Sequence, residues 1–256
     1  MTGFPEWPTE ARRLKDLDAD VDIGLHLVLS DLPATGTMPR TAPGGRLPGL
    51  ARLLVDSHLG MLALAEIEEE MNRQLDAFEA SMGRRPDFID GHRHVHSLPG
   101  VRNLVVALFE TRLDKGNTWL RVCSSSRREI IGRGHSGGHA LPQALLIDQL
   151  SRPLSRLAEA NGIHSNDGFR GVNRFDPTRF ASLFETWMSG TGSRPLIMCH
   201  PGFVDAALRD RDSVTAARGF EYDFLASDDF LKLLDRYGQH LQRLPWPDSD
   251  RSVFRS

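Results

Sequence analysis

The chain has 256 residues, 40% hydrophobic and 25% charged, which suits one globular domain over 1–256 with a large core, or at most two small ones. A net charge of -3 and a pI near 6.4 leave no basic surface to track phosphates, so nucleic acid is not an expected partner. Cys123 and Cys199 cannot form a disulfide framework, no apolar run reaches the length of a membrane span, and Met1–Arg13 lacks the apolar core of a signal peptide; a cytoplasmic, reduced protein away from the membrane is expected.

In chain order, Asp20–Ser30 alternates apolar and polar residues and reads as a strand carrying His26. Leu62–Gly83 reads as a long helix, with Glu66, Glu68, Glu69 and Glu70 near its start, where the helix dipole favours acids. Pro86–Gly91 reads as a strand leading into Asp90-Gly91-His92-Arg93-His94-Val95-His96. Ser97 and Pro99 are expected to cap and open a helix running through Leu113. Trp119–Cys123 reads as a strand bearing Arg121, and Arg128–Gly138 as a glycine-rich loop. Leu141–Asn161, ended by Gly162, and Phe175–Ser189 read as helices; Pro195–Cys199 reads as a buried strand ending in His200-Pro201-Gly202; Phe230–Tyr237 reads as the last clear helix. Strands separated by helices predict an α/β fold with a parallel sheet or barrel.

Active residues of parallel α/β folds gather at the carboxyl ends of strands. Here those positions carry His26, the histidine run, Arg121 and His200. Residues two apart on an extended strand share a face, which would bring His92, His94 and His96 together. Three imidazoles on one face are costly to desolvate, and the usual reasons to gather them are a metal ion or proton transfer. Taken singly, His26 between leucines could be a core histidine bonded to a carbonyl, and His200 could merely shape a turn. The combination points to a metal hydrolase on an α/β scaffold.

Three segments carry a family resemblance: Gly24-Leu25-His26-Leu27, the run Asp90–Pro99, and Met198-Cys199-His200-Pro201-Gly202. In order and spacing the chain resembles the YdjC-like carbohydrate deacetylases, and Asn166–Phe169 and Glu221–Ser227 are similar to further family segments. The resemblance implies a single β/α barrel-like domain that binds one divalent metal, magnesium or zinc, and takes a small carbohydrate substrate. By the same resemblance His26 and His92 would be metal ligands and His200 the proton donor. His94, His96, Asp90 and Arg121 would line the site, support the ligands or orient the substrate. A homo-oligomer is left open.

One departure matters. Family members begin with a strand carrying Ala-Asp-Asp-Phe-Gly, which supplies the third ligand and the base, and this chain has no such motif. Met1–Pro5 aligns with the segment after the family's second strand, so the first strand, first helix and second strand are expected to be absent. Asp18 and Asp20 stand at the wrong end of the His26 strand to replace the ligand. A start placed too far downstream, or a fragmentary gene, is the expected reason. The alternative is an inactive truncated relative that binds sugar or a partner. A third reading, an amidohydrolase or phosphoesterase barrel, is disfavoured because its His-x-His pair belongs to the first strand, whereas this run is mid-chain.

Overall fold

A computed structural model describes residues 1–17, 21–132, 140–189, 194–212, 214–241 and 243. It has mixed α/β structure with parallel sheets, and the described residues fall into two compact units.

The first unit comprises Met1–Val122 and Leu150–Asn166, joined by Arg243. Strands β1 (Leu25–Leu27), β2 (Phe88–Gly91) and β3 (Trp119–Leu120) form a parallel sheet in that order. Helices α1 (Trp7–Lys15), α2 (Leu50–His58), α3 (Leu64–Met82) and α4 (Val101–Thr111) belong to the same unit. Leu25 and Leu27 are fully buried, so His26 between them faces the other side of the sheet. In α3 the residues Ile67, Met71, Leu75, Phe78 and Met82 form the inward stripe. The helix ends where the chain turns through Gly83 at φ 75°, a left-handed conformation that favours glycine. Trp7 of α1 stacks on Phe78 at 5.6 Å and donates its Nε1–H to the Ala77 carbonyl at 2.9 Å.

The first strand is far shorter than Asp20–Ser30. Its ladder ends because the side chain of Gln74 takes over the next peptide: Gln74 Oε1 accepts from Val28 N at 2.9 Å and Nε2 donates to Val28 O at 2.7 Å. The neighbouring buried Glu70 accepts from Thr35 N, Thr35 Oγ1 and Gln74 Nε2, and pairs with Arg73 at 2.9 Å. A buried carboxylate is tolerated when its lone pairs are filled in this way. Asp18 and Asp20 lie outside the described residues. The helix expected from Ser97 begins instead at Val101, because Gly100 sits at φ 78° and interrupts the helical path.

The second unit comprises Cys123–Gln149 and Asp167–Leu241. Strands β4 (Phe169–Arg170) and β5 (Leu196–Ile197) pair in parallel. Gly171 follows β4 at φ 98°, and a Cβ there would lie 2.2 Å from the Met198 carbonyl oxygen, so only glycine admits this approach. Helix α5 (Arg127–Gly132) occupies the start of the stretch expected as a loop; residues 133–139 lie outside the described residues. Helix α6 (Leu141–Ala160) matches its expected span; Ala144 and Ile147 join a cluster with Cys123 and Phe169, while Leu154 and Ala158 enter the core of the first unit. Helix α7 (Phe180–Met188) follows a 3-10 turn at Pro177–Arg179, which shortens the helix expected from Phe175. Helices α8 (Ala206–Arg211), α9 (Ala216–Leu225) and α10 (Asp228–Arg236) complete the unit. Rings of Phe180, Phe184, Trp187, Phe224 and Phe230 meet edge-on or tilted between α7, α9 and α10. Strand β5 is half-buried rather than buried.

Candidate active site

The site in the first unit starts from strand register. His26 lies opposite Asp90 across the β1–β2 pair, so both side chains leave the same face. His26 Nδ1 and Asp90 Oδ1 are 2.6 Å apart. Arg121 follows β3 directly and donates its backbone N–H to the Ile89 carbonyl at 3.0 Å. Its Nη1 lies 3.2 Å from Asp90 Oδ2 and its Nη2 donates to the Gly91 carbonyl at 2.8 Å. Asp90 is only 7% exposed. Burial pushes its carboxyl upward, but the Arg121 guanidinium and His26 outweigh burial and hold it well below the ordinary carboxylate range. Asp90 is therefore a charged bridge between a guanidinium and an imidazole.

The histidine run is not an extended strand. His92–Ser97 forms a 3-10 turn, with Arg93 at φ 49° and His94 at φ 62°. Left-handed non-glycine residues cost about 1–3 kcal/mol each and collect at functional sites. Asp31, itself at φ 65°, pairs with Arg93 at 3.2 Å and helps hold the turn. The turn separates the three histidines by environment. His92 meets His26 edge to face, with ring centroids 5.7 Å apart. His94 is half-buried, and burial followed by the nearby Arg121 charge depresses it well below the ordinary histidine value. His96 is fully buried, with Nε2 donating to the Arg121 carbonyl at 3.0 Å. A Cβ on Gly91 would lie 2.7 Å from His96 Nδ1, so glycine is what lets this imidazole sit beneath the turn.

Burial, then Arg121, lowers His96 to about 3. Its folded value lies below the unfolded value of about 6.5, so the unfolded chain binds the extra proton as pH falls. Stability contributed by neutral His96 is present above pH ~6.5 and is lost progressively toward pH ~3, with a slope up to about 1.4 kcal/mol per pH unit. Urea melts between pH 7 and 4.5 are expected to show this loss, and His96→Gln to flatten it. An unchanged slope in His96→Gln would place the acid sensitivity elsewhere.

Among the described residues, no group of three or more His, Cys, Asp or Glu side chains is placed to hold a metal ion. The two imidazoles that the structure brings side by side are those of His26 and His92. Asp90 takes the Nδ1 side of His26, which leaves Nε2 as the nitrogen available to a ligand, the usual arrangement behind a metal-bound histidine.

His200 belongs to the second unit and follows β5. Its backbone N–H donates to Glu221 Oε2, and its carbonyl accepts from Arg218 Nη1 at 3.4 Å. Gly202 N donates to the Arg218 carbonyl at 3.1 Å, so α9 clamps the whole His200–Gly202 turn. The His200 ring meets Phe175 edge-on at 5.2 Å. Burial raises the Glu221 carboxyl above its ordinary value. Burial and the Glu221 charge push the Cys199 thiol up to about 12, which removes it as a nucleophile. Sequence reasoning assigned no role to Glu221. The readable signal was an acid four residues after Ala217, on what proves to be the buried stripe of α9.

A family model described as YdjC-like protein matches residues 1–236. The chain belongs to the YdjC-like family. Proteins named chitooligosaccharide deacetylase from Yersinia pestis (strain Pestoides F) and Yersinia pseudotuberculosis (serotype O:1b, strain IP 31758) are each 32% identical over 187 residues, 73% of this chain and 62% of theirs. The chain thus spans about three-fifths of the length of these relatives. In fold it resembles a crystal structure from Enterococcus faecalis V583 whose name proposes cellobiose-phosphate cleavage. The TM-score is 0.65 at 20% identity, covering 95% of this chain and 84% of that one.

Proposed function

We propose that the protein is a metal-dependent hydrolase that removes the N-acetyl group from an amino sugar or a chitooligosaccharide-like substrate. The carrying observation is the array of buried Arg121 and Asp90 with half-buried His26, and the His92 ring beside it. The names of the Yersinia relatives support the substrate class. A divalent ion, magnesium or zinc, when bound would polarise the acetyl carbonyl and acidify a water.

His26 and His92 would hold that ion through their imidazoles. Asp90 keeps the His26 proton on Nδ1, and Arg121 keeps Asp90 charged. Neutral His96 fixes the Arg121 backbone, and His94 lines the turn without adding positive charge. His200 gives a proton to the leaving amine as the carbon–nitrogen bond breaks, and the products are acetate and the free amino sugar. By the family resemblance, the third ligand and the base would be carboxylates of the Asp-Asp segment that family members carry.

With two imidazoles and no third donor among the described residues, metal retention by the 256 residues alone should be weak. Assayed with N-acetylated chitooligosaccharides and zinc or magnesium, they are expected to release little acetate. The same chain fused to a relative's Asp-Asp segment is expected to turn over. Vigorous turnover without the fusion would mean that a carboxylate ligand lies within this chain. A fusion that binds metal and sugar but releases no acetate would favour the second reading, a non-catalytic sugar-binding relative. That reading draws on the same incomplete donor set.

A further inference from the structure

The segment after His200 carries two features that the hydrolytic chemistry does not use. Phe203 is 75% exposed, and its ring lies 4.5 Å from that of Tyr222, itself 39% exposed. The two planes are inclined at 49°, so they form an open, faceted aromatic surface rather than a closed stack. An exposed phenylalanine of this size has an unfavourable contact with water that a ligand can relieve. The surface is held in place. Tyr222 follows directly on Glu221, which accepts from His200 N, and Gly202 is bonded to the Arg218 carbonyl one turn earlier in α9. One helix therefore anchors the backbone of the candidate proton donor and carries Tyr222, against which Phe203, three residues beyond His200, packs.

We propose that Phe203 and Tyr222 form a carbohydrate-stacking subsite beside His200. The negative face of an aromatic ring suits the weakly positive axial C–H face of a pyranose, and the Tyr222 hydroxyl can serve ring substituents at the edge. A sugar is favoured over a protein partner because Asp205, Arg209 and Asp223, exposed and close to the pair in sequence, are charged, and the other exposed aromatic of α9, Phe220, stands two residues from Tyr222 and so leaves a different face of the helix. The substrate class rests on the deacetylase reading, and the subsite deepens it by adding a contact for a sugar ring.

Isothermal titration of the 256-residue chain with N-acetylglucosamine oligomers of two to five rings, without metal, tests the proposal. Wild type is expected to bind. Phe203→Ala should weaken binding about tenfold, Phe203→Trp should retain it, and Tyr222→Ala should weaken it several-fold. Because Phe203 is exposed, its melting temperature should not move, and Leu231→Ala, an exposed aliphatic change on α10, should bind as wild type. Absence of saccharide binding by wild type, or equal affinity of Phe203→Ala and wild type, overturns the proposal. Phe203-dependent binding with no acetate release from the fused chain would keep the subsite and reject the deacetylase; acetate release with KM unchanged in Phe203→Ala would do the reverse.

Discussion

His200→Ala in the fused, active chain should lower kcat by about 10²–10⁴-fold while metal content stays at the wild-type level. The His200–Gly202 turn is held by Glu221 and Arg218 through backbone groups, so the turn survives loss of the imidazole. What the side chain itself contributes to packing is the edge-on contact with Phe175, worth roughly 0.5–1.5 kcal/mol. A small drop in melting temperature with a large drop in kcat is therefore the expected pattern. His92→Ala should behave differently and lose the metal, because its ring is the partner of His26 at the candidate ligand pair. Metal stoichiometry, melting temperature and kcat measured on both variants separate the roles. Equal loss of metal in both would make His200 a ligand; loss of stability with kcat spared in the folded fraction would make it only a turn residue.

Arg121→Met should be among the most destabilising single changes in the first unit, costing about 3–5 kcal/mol. Removing the guanidinium leaves Asp90 buried without its principal counter-charge and the Gly91 carbonyl without its donor. The carboxyl must then rise toward or above its ordinary value, since burial is the largest influence left on it. Arg121→Lys keeps the charge but cannot reach Asp90 and Gly91 with two prongs, so it should fall between. The double variant Arg121→Met/Asp90→Asn should be less destabilised than the sum of the single changes, because no unpaired charge remains. Denaturant melts decide the matter: a cost below about 1 kcal/mol for Arg121→Met would mean that the array is effectively solvated.

Much of the helical structure could be read from the chain because its signals are local. The apolar spacing of α3 and α6, and the stop at Gly83, depend on neighbours within a turn or two, and these elements fall close to where they are expected. The strands are shorter than their sequence patterns suggest for the opposite reason. The length of β1 depends on Gln74, 46 residues away from Val28, whose amide ends the ladder, and no pattern within Asp20–Ser30 announces this. Likewise α1, α2, α8 and α9 carry no strong local signal, because such short amphipathic stretches are stabilised by packing.

The histidine run shows the same division more sharply. Its composition singled out residues that come together in one unit: His26, His92, Asp90 and Arg121. The assumed geometry failed: period two presumes extended backbone, and two left-handed residues replace it with a turn. The turn then gives the three imidazoles different environments, with His92 at His26, His94 half-buried and His96 sealed beneath Arg121.

The sequence by itself determined the chemistry available to this protein: which residue types could bind metal, move protons or carry charge, and the family to which their order belongs. Tertiary structure alone decided the pairing of those residues. Asp90 becomes a charged orienting group, and not merely the residue before a histidine run, because parallel register sets it against His26 and the next strand delivers Arg121 to its other oxygen. Glu221 becomes the anchor of His200 because a helix some twenty residues later folds back on the β5 turn. Both outcomes depend on desolvation and on contacts distant in sequence, which act only once the chain is packed.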